Sequence, residues 1–192
     1  MLKRKRPVLP ATDSFAEEER VAMFSPGDLV VYGGEGVCRV EKIGPAGVPG
    51  AEKDRMYYTL SPLYRTGQVL TPVDTRVLIR PVIDRTEAEE LVKALPNMDA
   101  EEPAAATNPR LLKEYYHDIV TSYDCRRQAE LIGMIALRRR RAMSSGKKPS
   151  QMDERYGRRA EDQLYGELAA ALGIRRGEVE EYIRRSCPTW PE

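Results

Sequence analysis

The apolar residues of this chain keep one spacing up to about Ile83 and another beyond Thr86, and that single change fixes most of what the chain can become. From Phe24 to Ile83 they fall in short runs: around Val31, Val37, Val40 and Ile43, then Met56 to Leu60, Gln68 to Thr71 and Val77 to Ile79. The runs are β-branched or aromatic, follow a period of two and are separated by Gly, Pro or Asp, the pattern of strands joined by turns. Pro26-Gly27, Gly44 to Gly50 and Thr66-Gly67 read as those turns. Five short strands in so small a unit close most easily into an SH3-like or Tudor-like β-barrel.

Past Thr86 the period becomes 3.6. Thr86 with Glu89 three positions on resembles a capping box opening a helix that runs to Leu95, before Pro96. Pro96 to Ala106 reads as a linker. Asn108-Pro109 reads as an N-cap with proline at the first helical position, opening a helix through Tyr116 and Val120. Asp124 caps a further helix carrying Leu131, Ile132 and Ile135 on one side and ending in Arg138 to Arg141. Ser150 and Asp153 open another, in which Met152, Tyr156, Ala160, Leu164, Leu168 and Leu172 step by four until Gly173. A last short helix lies near Glu178 to Arg185. The expected class is α+β, a small β-barrel followed by an all-α helical bundle. The expected boundaries are 1–22 for a disordered tail or mis-assigned start, 23–83 for the barrel, 84–103 for a helix and linker, and 104–192 for the helical domain.

A chain of 192 residues suits two such small modules. Residues 1–22 mix Lys3 to Arg6, two prolines and the acidic run Glu17 to Glu19 with few apolar positions, so no core is expected there. Codons for Glu19 and Arg20 can also spell a purine-rich ribosome-binding sequence ahead of Met23, which makes Met23 the expected alternative start. With 32% charged residues and no long apolar run, neither a membrane span nor a secretory leader is expected. The three cysteines, Cys38, Cys125 and Cys187, form no CxxC pair, so neither a zinc site nor a disulfide framework is expected and a reducing cytoplasm is the natural compartment. The net charge of +1 conceals a division: residues 23–102 hold 9 Lys+Arg against 13 Asp+Glu, and residues 103–192 hold 17 against 13. The second half is the side expected to meet a polyanion.

Gly33, Gly34 and Gly36 invite a phosphate-loop reading, but no GK[ST] follows, and Val37 and Cys38 continue as a strand, so the glycines are expected to turn a corner. His117 is the only histidine and sits at helical spacing between tyrosines, where packing or solvent accounts for it better than general-base chemistry. No catalytic constellation, cofactor or small-molecule substrate is expected, and no enzyme. The run Arg138 to Arg141 reads equally as a solvated helix terminus, which the helix dipole favours, or as a phosphate-contact patch completed by Lys147, Lys148, Arg158 and Arg159.

The stretch FSPGDLVVYGGEGVCRVEKI resembles the opening of the CarD/CdnL family of bacterial RNA polymerase-binding transcription regulators, through Met23, Phe24, Gly27, Asp28, Val30, Val31, Tyr32, Gly36, Val40 and Ile43. YYTLSP, LTPVD (Leu70 to Asp74) and IRPVI (Ile79 to Ile83) follow in the family's order, and SYD, AELI and YGELA resemble its helical half. The likeness spans about Met23 to Leu172, and since such proteins usually begin where Met23-Phe24 falls, it also favours the expected alternative start at Met23. It implies a Tudor-like barrel that docks on the RNA polymerase β subunit and a helical domain that touches promoter DNA and stabilises the open complex. An unpaired barrel edge suits such docking, with Gln68, Val69, Leu70 and Thr71 as the candidate edge and Arg65 flanking it. The family commonly follows a Thr-Asn pair with a tryptophan that wedges into the minor groove, whereas here Thr107-Asn108 is followed by Pro109. Leu111 and Glu114 stand where the family tends to carry basic side chains.

Two functions follow. In the first, the chain is a transcription regulator whose weak DNA contacts, mainly to phosphates, come from Pro109, Arg110, Lys113, Arg139, Arg140, Lys147 and Lys148. In the second, it is a polymerase-bound adapter whose helical domain has lost DNA along with the tryptophan and binds another protein instead.

Overall fold

The computed structural model describes residues 24–47, 55–98, 102–188 and 190. The tail reading for residues 1–22, the alternative start at Met23, the later part of the Gly44 to Gly50 turn and part of the Pro96 to Ala106 linker lie outside the described residues. Five strands, β1 (Leu29–Tyr32), β2 (Gly36–Pro45), β3 (Met56–Pro62), β4 (Val69–Pro72) and β5 (Ile79–Pro81), precede five α-helices, α1 (Arg85–Ala94), α2 (Pro109–Ser122), α3 (Cys125–Ser144), α4 (Gln151–Leu172) and α5 (Val179–Ser186). No described helix is long and apolar enough to cross a membrane.

The strands form one antiparallel sheet in the order β4-β3-β2-β1-β5. Its two end strands are not paired with each other, so the expected closed barrel is a five-stranded open sheet in its pairing. The sheet is nevertheless strongly curled. Tyr32 on β1 and Thr71 on β4 are three inter-strand spacings apart, roughly 14 Å on a flat sheet, yet the Tyr32 hydroxyl lies 3.1 Å from Thr71 Oγ1. Curling lets one face enclose a core of its own, made by Phe24, Val30, Tyr32, Cys38, Val40, Tyr58 and Leu60.

In β1 successive side chains enter two different buried faces, and in β2 the alternation breaks for a definite reason. Val30 and Tyr32 point into the sheet's own core, while Val31, on the other face, packs with Val37 and with Tyr123 from the helical half. Both faces are therefore buried, and Val30, Val31 and Tyr32 read as a continuous apolar run. In β2 the register with β3 shifts between Val40 and Lys42, leaving Glu41 as an extra residue. That bulge is why Val40 and Ile43 lie three apart and still belong to the same core. Gly34 and Gly36, at φ +91° and +79°, make the β1–β2 connection, as expected of a corner rather than a phosphate loop.

Helices α1 to α4 each start where a short polar side chain takes up free backbone N–H groups. The α1 cap is Asp84 rather than Thr86: its carboxylate accepts from Glu87 N at 2.8 Å and Glu87 Oε2 accepts from Asp84 N at 2.8 Å, closing a reciprocal box. Asn108 caps α2 and Asp124 caps α3. The end of α3 is Ser144, one turn past the arginine run. Ser150 caps α4, but the Asp153 carboxylate does not turn back to it and goes instead to Tyr116 and Arg138. Gly173, in the left-handed region, ends α4.

The apolar stripe of α4, Tyr156, Ala160, Leu164, Leu168 and Leu172, is the spine of the second core. Ala88, Leu91 and Val92 of α1 pack into this same core, together with Leu112, Tyr116 and Ile119 of α2, Ile132 of α3 and Ile183 of α5.

Candidate functional site

β4 lies at an end of the sheet, so among the described residues its outer side carries no paired strand. Leu70 is 38% exposed and projects from it, and Gln68 is exposed just before the strand. Val69 packs on the sheet's core and Thr71 is buried, its hydroxyl engaged with Tyr32, so these two offer backbone rather than side chain. Arg65 does not flank β4 as expected. It reaches across to the β1–β2 turn, with Nη1 3.5 Å from Gly34 O and 3.7 Å from Glu35 Oε2.

The opposite end of the sheet is held by the helices. Arg80 on β5 sends its guanidinium to both carboxylate oxygens of Glu167 on α4, with Nη2 2.7 Å from Oε2, and to the backbone oxygen of Tyr123. Glu167 also accepts from Ile83 N at 3.1 Å and from Cys125 Sγ at 3.1 Å. Burial by itself works against charge on Arg80, but the hydrogen bond to Glu167 and its negative charge outweigh that and hold the guanidinium pKa above its ordinary value. Burial, then the Glu167 charge, pushes the Cys125 thiol well up, so it stays protonated. The clamp is reinforced by Tyr64, whose hydroxyl donates to Gly166 O at 2.9 Å. A Cβ on Gly166 would lie 3.1 Å from the Tyr64 ring, so glycine admits the ring onto α4. Sequence reasoning missed this clamp. The available signal was an acid, Glu167, set between Leu164 and Leu168 on the apolar side of a helix, where an ionised group needs a partner.

The candidate DNA residues fall into two groups. At the start of α2, Asn108 Oδ1 accepts from Arg110 N at 2.9 Å and Leu111 N at 3.4 Å, with Pro109 exposed at the first helical position. Arg110 is paired with Glu114 at 3.2 Å, Lys113 is exposed, and Leu111 projects, 48% exposed. At the far end of α3 the arginine run divides. Arg138 turns inward: its Nε donates to Asp153 Oδ2 at 2.9 Å, and Asp153 accepts from the Tyr116 hydroxyl at 3.1 Å. Arg138 and Arg141 also share Glu102, at 3.4 and 3.1 Å. Arg139, Arg140, Lys147 and Lys148 are exposed, so the run is half buttress and half exposed surface.

Trp190 is buried, with Nε1 3.2 Å from the Tyr165 hydroxyl, so it serves packing near the end of the chain. Burial pushes the Tyr165 phenol up to about 12, with the bond from Trp190 acting the other way.

Compared with known families, residues 24–83 match the model of the CarD-like/TRCF RID domain. The match covers the whole described sheet, from Phe24 through β5 to Ile83, including the open β4 edge and the clamped Arg80. No curated protein matches the chain.

Proposed function

We propose that this chain, whose residues 24–83 are a CarD-like/TRCF RID domain, is a non-enzymatic transcription regulator that grips the β subunit of RNA polymerase through that domain and touches promoter DNA through its helices, stabilising the open complex. The single observation that carries the reading is the domain match combined with an open β4 edge that projects Leu70. Main-chain N–H and C=O groups along such an edge add to a sheet on a partner, and the projecting side chain supplies selectivity. The curled sheet with its own core is read as the Tudor-like barrel of the family. Arg65 is left out of the polymerase contact, because its guanidinium lies at the β1–β2 turn.

For DNA the reading rests on exposed cations: Arg139, Arg140, Lys147 and Lys148 at the end of α3 and in the loop after it, with Arg110 and Lys113 at the start of α2. Such contacts are mainly to phosphates and read little sequence. Pro109 and Leu111 are exposed apolar residues in the first turn of α2, each a candidate for a small wedge between base steps. The adapter reading draws on the same region, since Arg110 is paired with Glu114 and Asn108-Pro109 is fully explained as a helix cap.

Two measurements on the full chain decide between them. With Arg139, Arg140, Lys147 and Lys148 all changed to alanine, the lifetime of a promoter open complex is expected to shorten, and an unchanged lifetime counts against the DNA role. Duplex affinity of the wild-type chain is expected to fall with rising salt, whereas a slope near zero identifies an adapter.

A further inference from the structure

We propose that the cleft between the β1–β2 turn and α4 is an additional docking site for the phosphate backbone of duplex DNA, with Arg155, Arg158 and Arg159 as its contacts. The proposal rests on the reading that the helical half meets DNA, and it extends that interface across α4 to the edge of the sheet domain.

The cleft has a volume of about 480 Å³ and is bordered by Gly34 to Val37 and Arg65 on the sheet side and by α4 from Gln151 to Gly166 on the other. It is preformed, because Tyr64 bonded to Gly166 and Arg80 bonded to Glu167 fix the two walls relative to each other. Five guanidinium groups border it against three carboxylates, Glu35, Glu154 and Asp162. Two of those carboxylates are engaged already, Glu35 with Arg65 and Asp162 with Arg176, whose guanidinium also lies over the Tyr64 ring at 5.6 Å. Within the cleft Arg155, Arg158 and Arg159 then stand against Glu154, and on its other side Arg158 faces Glu161. Their spacing of three and four places them on one side of α4, exposed, while Tyr156, Ala160 and Leu164 anchor the buried side of the same helix. Planar guanidinium groups held in a row on a rigid helix match successive phosphates better than flexible ammonium groups do.

A linear polyanion fits better than a small anion because the basic surface continues past the cleft. Arg158 also borders a neighbouring hollow of about 430 Å³, together with Arg139 from the end of α3. A row therefore runs from Arg139 through Arg158 to Arg155 and Arg159 and on to the turn, with Glu154 and Glu161 along it and with Glu35, Asp153 and Asp162 paired to Arg65, Arg138 and Arg176. Its far end adjoins the exposed Arg139 and Arg140 already assigned to DNA, so one strand of backbone can follow both.

The test is binding of the full chain to a labelled duplex of arbitrary sequence over a salt series. Changing Arg155, Arg158 and Arg159 together to alanine is expected to make the slope of log affinity against log salt shallower by about 2 to 3, at about 0.9 per phosphate contact. Arg155 also lies over the Tyr156 ring at 5.1 Å. The double variant R158A/R159A therefore serves as the check on folding, with an expected loss of about 2 in slope and an unchanged thermal melt. Lysine at all three positions is expected to restore most of the slope. A triple alanine variant with wild-type slope, alongside a quadruple variant at Arg139, Arg140, Lys147 and Lys148 that loses it, overturns the cleft and leaves the DNA reading standing. A wild-type chain with no salt-dependent duplex binding overturns both. Inorganic tripolyphosphate binding more tightly than duplex, and lost in the triple variant, overturns the assignment to a polymer.

Discussion

The two ends of the sheet have opposite fates. At β5, Arg80 is drawn under the helices by a nearly buried carboxylate, and Val31 and Val37 turn a second apolar face toward Tyr123. At β4, four residues end the sheet with Leu70 pointing outward and, among the described residues, no strand beyond. The difference teaches that one sheet can be clamped at one edge and left open at the other. The clamped edge fixes the angle between the halves, and the free edge is thereby presented in a fixed direction relative to the basic helices.

The largest effect is expected at the clamp. Glu167→Ala leaves the half-buried Arg80 guanidinium without its carboxylate and strips Ile83 N and Cys125 Sγ of an acceptor. Loss of a buried ion-pair partner costs about 3 to 5 kcal/mol, read as a lower urea midpoint. A midpoint unchanged within error would place both ends of the sheet on an equal footing and break the comparison.

Next come neighbours in the arginine run. Arg138→Ala is expected to cost about 2 kcal/mol, because Asp153 is buried and loses a charged donor. Arg139→Ala, one residue on, is expected within about 0.5 kcal/mol of wild type. Equal costs in chemical denaturation would mean that the run is not divided between buttress and surface.

A smaller effect concerns pH. Cys38 sits inside the sheet's own core, and burial first, then the Glu35 charge, raises its thiol from 9.0 to about 11. The unfolded chain ionises this thiol at a lower pH than the folded chain does. Its contribution to stability is therefore complete below about pH 9 and is lost as the pH rises toward 11. The melting temperature of the wild-type chain is expected to fall more steeply over that window than that of Cys38→Ala, and parallel curves would contradict the assignment.

What was legible in the sequence follows from local physics. Asn108, Asp124, Ser150 and Gly173 act where short polar side chains and glycine must act, and the four-residue steps of α4 fall on the buried side. The α1 cap slipped by two residues because Asp84…Glu87 and Thr86…Glu89 carry the same signature. The chain stays extended through Asp84, just after Ile83 N is held by Glu167, so the earlier pair closes. The remaining misses depend on tertiary partners. Nothing near Arg138 in sequence announces that Asp153 waits for it, nor that Arg65 turns toward Glu35. The curl that brings Tyr32 to Thr71 has no local signature either. Of the candidate site, the edge position of β4 and the exposure of Lys147 and Lys148 were readable, whereas the burial of Thr71 was not.

Capture of the purified RNA polymerase β subunit by the full chain, wild type against Leu70→Glu, bears most directly on the free edge. Leu70 is exposed, so the substitution is expected to leave the melting temperature nearly unchanged. The account predicts that wild type binds and that Leu70→Glu weakens binding at least tenfold with the fold intact. Equal capture by both chains, or none by wild type, would contradict it.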